Sequence, residues 1–302
     1  MPATLRKRLV LNLRNYCYIA LSLSLIPLLP TDDAISGNGE YALDFLNITV
    51  GAYSASTGQA NYAGILGAEA VFGNPSLLGD NLSGFASYQN LIMDTKSQAA
   101  SINMPFKSDY SIGLGVNIFD PGGITGYDSR GNETGSVKSG DYLVKLAFAS
   151  RNRVNYGISI SYYEQRLDDM VGRGYGFGMG ISHDLGDNRL GLSVDNLGPE
   201  FKLGESSNPL PSKIALSGWF PIQSRFINLS ADMIYSLETG FRLAGGIEYS
   251  PLDGLFLRAG GNNDIPFSLG FGLSGGSFDI DYSYIPSDLF GERHLFSFSF
   301  TH

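Results

Sequence analysis

The sequence predicts an all-β fold, a transmembrane antiparallel β-barrel of about 14 strands behind an N-terminal plug, and three observations carry that prediction. Apolar side chains recur at every second position from about residue 84 to the last strand, the period of a strand with one apolar and one polar face. Connections alternate between tight turns and longer loops. Charged residues make up only 16% of the chain, below the ~25% of an ordinary soluble domain, and aromatics reach 12%.

Taken in order, the chain opens with Arg6, Lys7, Arg8 and Arg14 before the apolar run "YCYIALSLSLIPLLP" and the small residues Ala34 and Ser36. This pattern describes a secretory signal peptide over residues 1–36. A membrane anchor is the alternative, but Pro27 and Pro30 break a run already shorter than the ~20 residues a spanning helix needs. The single cysteine, Cys17, falls inside this segment, so the mature chain is expected to hold no disulfide.

Residues 37–83 lack the strand rhythm and are rich in Gly and Ala. They are expected to form a plug, or hatch, inside the barrel, with Gly51, Gly67, Gly73, Asn74 and Pro75 at its turns and close approaches. A disordered leader is the alternative, and the apolar pieces within the segment argue against it.

Residues 84–302 read as the barrel, with strands beginning near 84, 97, 110, 141, 154, 173, 188, 212, 225, 241, 254, 267, 276 and 293. "YSIGLGVNIF" sets Tyr110, Ile112, Leu114, Val116 and Ile118 against Ser, Gly and Asn. "GYGFGMGIS" sets Tyr175, Phe177, Met179 and Ile181 against three glycines, and the last strand sets Phe296, Phe298 and Phe300 against serines. Long links are expected at about 119–140, at "EQRLDDMVG" and at about 197–211, with short ones such as "FKSD", "SRNR" and "HDLGD" between them. Such alternation is the habit of outer-membrane barrels, whereas a Greek-key sandwich has no reason for it.

The polar face carries Lys145, Asp195, Asp232, Arg242, Glu248, Arg258, Asp279 and Asp281. If the apolar face meets lipid, these residues line a lumen and can pair there, with Arg242 and Arg258 opposite Glu248, Asp232 or Asp279. The apolar face so assigned contains no charge, as expected when Arg or Lys facing lipid at mid-depth costs about 2–4 kcal/mol. Four apolar side chains, Trp219, Phe226, Phe256 and Leu295, fall on the lumen side and either pack the plug or line a binding cleft.

Several stretches resemble the PorV/PorQ family of outer-membrane proteins, in order and at similar spacing. They are "VGAYSASTGQANYAGILGAEAVFGNPSLL", "LPSKIALSGWF", "GIEYSPLDGLFLRAGGN" and "DYSYIPSDLFGERHLFSFSF". The chain departs from the family pattern at Tyr53, at "STGQA" and at Ser76. The resemblance implies a barrel similar to the FadL long-chain fatty acid transporters, with a hatch, in the outer membrane of a diderm bacterium. It also implies an accessory role in type IX secretion, with exported cargo proteins or the attachment machinery as partners. The alternative it leaves is an uptake channel for hydrophobic small molecules.

Other classes find little support. A net charge of -9 offers no basic face for nucleic acid. The three histidines, His183, His294 and His302, have no Ser-His-Asp or metal-ligand spacing around them, and "GRGYGFG" alternates as a strand with no helix after it. Asp279 and Asp281 share a face and are better read as lumen charges than as a cation site. No cofactor and no catalysis are expected. Outer-membrane lipid is the one partner that the strands themselves imply.

Overall fold

The computed structural model describes residues 41–60, 62–91, 94–222, 226–286 and 292–302. The expected signal peptide, the first residues of the expected plug (37–40) and part of the last long link lie outside the described residues.

Among the described residues eighteen strands follow one another: β1 (Ser83–Asn90), β2 (Lys96–Phe106), β3 (Tyr110–Asp120), β4 (Ile124–Tyr127), β5 (Glu133–Val137), β6 (Ser139–Ser150), β7 (Asn155–Leu167), β8 (Met170–Leu185), β9 (Asn188–Leu197), β10 (Phe201–Leu203), β11 (Ser206–Asn208), β12 (Lys213–Ile222), β13 (Ile227–Ser236), β14 (Gly240–Leu252), β15 (Leu255–Asn262), β16 (Ser268–Ser274), β17 (Phe278–Ile285) and β18 (Arg293–Thr301). Fourteen of them close into one barrel in the order β1-β18-β17-β16-β15-β14-β13-β12-β9-β8-β7-β6-β3-β2. Apart from the closing β1–β18 pair, each barrel strand pairs antiparallel with its predecessor and successor around the wall, and β18 returns to β1 from Ser83–Thr301 to Asn90–His294. Closure leaves no strand edge, which is the condition for crossing a bilayer with strands.

The remaining four strands are two small hairpins, β4–β5 and β10–β11, set in the long links after β3 and β9. The link expected at "EQRLDDMVG" is not a loop. There β7 and β8 simply continue, pairing as far as Leu167–Met170 around a turn in which Asp168 takes a positive φ of 53°. Alternation fades over these residues because their outward positions turn from apolar to charged, and that change removes the sequence signal while leaving the backbone ladder intact.

Burial is inverted relative to a soluble protein. Outward residues are large and apolar, with Ile158 60% and Phe177 47% exposed, and the same holds for Leu146, Leu216, Phe271 and Phe296 around the wall. Inward residues are small or polar, among them the buried Ser111, Asn117, Ser161, Ser193, Ser217, Ser283 and Ser297. A continuous apolar belt on all sides far exceeds the few hundred Å² of apolar patch that a soluble monomer tolerates, so the belt faces lipid. Among the described residues no helix is long and apolar enough to cross a membrane.

Segment 41–82 packs against the inner wall on opposite sides. Its elements are a 3-10 turn at Asp44–Asn47, helix α1 (Ala52–Ser56), and 3-10 turns at Gly67–Phe72 and Pro75–Leu77. Helix α1 lies on β16–β18, the Gly67–Phe72 turn on β1–β3, and the Pro75–Leu77 turn on β6–β8.

Candidate functional site

The wall is carved for this segment by missing side chains. A Cβ on Gly157 of β7 would lie 2.3 Å from the Pro75 carbonyl carbon, and one on Gly260 of β15 would lie 2.2 Å from that of Thr57. Both contacts are with backbone, so no rotamer change relieves them. Gly113 and Gly115 receive Val71, Leu78 and Phe72 in the same way, and Gly180 receives Asn74. The small-residue faces of β3 and β8 are legible in the sequence, whereas the Gly246, Gly260 and Gly270 face on β14–β16 is not, because alternation with apolar residues is less regular there.

Each residue expected at the plug's turns has a definite place. Asn74 caps the Pro75–Leu77 turn, its Oδ1 accepting from the Ser76 amide at 3.1 Å and the Ser76 hydroxyl at 2.7 Å. Gly67 takes a positive φ of 73° beside Ser83, whose Oγ accepts from the Ala68 amide at 3.1 Å. Gly51 makes room for the Glu69 carboxyl, and Gly73 lies against the Tyr62 ring.

The inward charges gather into two clusters. In one, Arg258 donates through Nε to Glu248 at 2.7 Å and through Nη1 to Asp281 at 2.5 Å. All three side chains are buried. Asn228 donates to the other Glu248 oxygen at 2.7 Å, and the guanidinium lies 4.3 Å from the Tyr53 ring centre on α1. In the other cluster, the ammonium of Lys145, 2% exposed, lies 2.6 Å from Asp195. Asn196, next in β9, accepts from the Tyr163 hydroxyl at 3.1 Å. Asp232 accepts from the Tyr62 amide at 2.9 Å and thus holds the segment to β13.

Two pairings differ from expectation. Arg258 takes Asp281 where the sequence suggested Asp279, because its guanidinium reaches diagonally over Gly272 of the intervening strand β16, where the missing side chain lets it meet the Asp281 carboxylate. Arg242 makes no ion pair among the described residues, and its Nε has no hydrogen-bond partner there. Of the apolar exceptions, Leu295 is 1% exposed and packs with Ala52 and Ala55 of α1, Trp219 lies under the Arg189 guanidinium, and Phe256 flanks Arg258. Phe226 lies in the turn before β13, 56% exposed, and takes no part in the lumen.

Three cavities among the described residues follow one another along the barrel. The largest of them, about 870 Å³, opens at the loop end and is walled by Leu43, Phe45, Ile48, Phe119, Leu167, Phe201 and Leu203, with Asp44, Asp141 and Glu205 also in its lining. A constricted middle cavity of about 60 Å³ shares Phe45 and Ile48 with it and meets Lys145, Lys213 and Arg242. A lower cavity of about 250 Å³ shares Ile65 and Glu69 with the middle one and holds Arg258, Glu248, Asp279 and Asp281. Burial, reinforced by Asp281 and offset by Arg258, pushes the Glu69 carboxyl up to about 8. At neutral pH this partition between the cavities is therefore mostly uncharged.

The residues that line the apolar cleft differ from those expected, since none of Trp219, Phe226, Phe256 and Leu295 lies in its wall, although a signal existed. Phe119 and Leu143 each break an otherwise small or polar inward phase, in β3 and β6, near the loop end. Phe201 is placed by the hairpin β10–β11, where it covers Gly172 and Gly174 of β8, and no local pattern announces that contact.

No protein-family model and no curated protein matches the chain. Solved structures do. A TodX monoaromatic hydrocarbon channel mutant (deltaS2S3) aligns at TM-score 0.57 and 12% identity over 83% of this chain and 98% of that one. A FadL homologue of Pseudomonas aeruginosa aligns at TM-score 0.56 and 10% identity over 84% and 98%. The CymD monoaromatic hydrocarbon channel aligns at 0.55 and 13% over 86% and 98%. The fold is thus a FadL-like barrel, and at these identities the likeness extends to the fold alone. The barrel resembles bacterial outer-membrane channels.

Proposed function

We propose that this protein is an outer-membrane channel admitting apolar small molecules, with segment 41–82 as a hatch that closes the lumen at rest. The apolar 870 Å³ cleft at the loop end carries this reading, since its volume suits a small ligand pocket and most of the residues lining it are apolar. The short turns face the periplasm and the long links face outside, as in outer-membrane barrels generally.

The route runs along the axis. β3 pairs without interruption with β2 from Lys96–Asp120 to Phe106–Tyr110, and with β6 from Tyr110–Ser150 to Phe119–Asp141, so this wall offers no side exit. The middle cavity, about 60 Å³, is smaller than the roughly 150 Å³ site that holds one benzene. Passage therefore requires the hatch to shift, with Phe45 and Ile48 as the upper partition and Ile65 and Glu69 as the lower one.

The resemblance to the PorV/PorQ family implied a secretion accessory. No comparison supports cargo or secretion partners, and a greasy cleft walled by hatch and loops favours the channel. The channel role proposed here is non-enzymatic. The test is a Leu203→Asp variant. Leu203 is partly buried in the cleft wall, and a carboxylate there is expected to weaken equilibrium binding of an environment-sensitive apolar fluorophore about tenfold. Unchanged affinity would place the binding site elsewhere.

A further inference from the structure

The outward surface of the β7–β8 hairpin ends in a charged platform. Rising from the turn end, β7 presents Tyr156, Ile158, Ile160 and Tyr162, and β8 presents Ile181, Met179, Phe177 and Tyr175. Tyr162 and Tyr175 are cross-strand partners. One step higher, Glu164 of β7 stands in a single row between Tyr142 of β6 and Arg173 of β8, and Arg166 stands a step above it. The face expected to carry no charge thus gains three charges where it leaves the apolar belt.

Their geometry is not that of a simple surface pair. The Glu164 carboxylate serves both guanidiniums: Arg166 donates from Nε to Oε1 at 2.8 Å and lies 2.6 Å from it through Nη2, and Arg173 donates from Nε to Oε2 at 3.0 Å. The Tyr162 hydroxyl donates to Oε2 at 3.1 Å, and Arg166 also lies 5.3 Å from the Tyr142 ring centre. The Glu164 side chain is 13% exposed, while those of Arg166 and Arg173 are 56% and 65% exposed. The anion is covered and the cations face outward with N–H groups to spare, since each guanidinium carries five. Two cations on one carboxylate leave an excess of one positive charge within this cluster, with Asp168 and Asp169 exposed at the turn beyond it.

We propose that Arg166 and Arg173 form a docking site for the phosphate of a phosphorylated glycolipid in the outer leaflet, with Glu164 fixing both forks in place. The tyrosine row beneath them marks the boundary between hydrocarbon and headgroups. The platform therefore stands at headgroup depth on the long-link side, where lipid phosphates lie. Paired planar guanidiniums match phosphate oxygens in geometry and charge. The site rests on the reading of the chain as an outer-membrane barrel.

The experiment uses the whole folded protein in detergent, incubated with lipid A carrying its phosphates or with the dephosphorylated form, and counts retained lipid by native mass spectrometry. Wild type is expected to retain the phosphorylated lipid, and Arg166→Gln/Arg173→Gln to retain at least tenfold less. The dephosphorylated lipid is expected not to be retained by either. Equal retention by wild type and variant, or by the two lipids, overturns the site. Displacement by millimolar inorganic phosphate overturns the assignment to a lipid. Heat-modifiable gel migration checks both proteins, and a wild type that is soluble without detergent overturns the barrel's membrane placement itself, an outcome distinct from failure of the site.

Discussion

Replacing Arg258 with Ala is expected to destabilise the folded barrel by about 3–5 kcal/mol, the usual result of removing one member of a buried ion cluster. Glu248 keeps its bond from Asn228, but Asp281 loses its guanidinium, and both carboxylates stay buried without a counter-charge. The Tyr53 ring also loses the cation 4.3 Å from its centre, which loosens α1 from the wall. Urea unfolding of the reconstituted barrel, followed by its heat-modifiable band, measures the loss. An Arg258→Met/Glu248→Gln/Asp281→Asn variant removes the charges together and is expected to recover most of it. A loss below about 1 kcal/mol for Arg258→Ala would mean that the cluster behaves as a solvated surface pair.

The second large effect concerns the hatch. A Cβ built on Gly191 of β9 lies 3.8 Å from the Cβ of the buried Ala63, within the ~3.5–4.5 Å that a disulfide spans. The neighbours crowding Gly191 are the side-chain ends of Ser217 and Asn74, which can give way. Ala63→Cys/Gly191→Cys thus ties hatch to wall. Oxidation is expected to reduce uptake of an apolar compound to the level of cells without the protein, and reduction to restore it. Uptake that persists in the oxidised protein would remove hatch movement from the mechanism.

How much of this was legible in the sequence follows from the range of the contacts involved. Strand alternation is local, so "DIDYSYI" and "LFSFSF" disclose their two faces to any reader of the chain, and the barrel with its fourteen strands follows from repeating that reading. The charged positions were also visible, since a charge flanked by apolar neighbours points away from lipid. Their pairing was not. Arg258 reaches Asp281 only by passing diagonally over Gly272 of the strand between them, a relation that depends on the placement of three strands. The cleft was still less visible: Phe201 and Leu203 enter it from an outer hairpin, Phe45 from the segment inside the barrel and Phe119 from the wall, so three separate stretches build one surface. The end of the β7–β8 hairpin was misread because Glu164, Arg166 and Arg173 look like loop residues once the apolar signal stops.

The central claim is that apolar molecules enter through the loop-end cleft and pass along the lumen. Uptake of radiolabelled toluene by cells with an intact lipopolysaccharide leaflet, with and without this protein folded in the outer membrane, tests it most directly. The account predicts saturable uptake several-fold above that of control cells. Equal uptake in the two, with folded barrel demonstrated in the membrane, would contradict it.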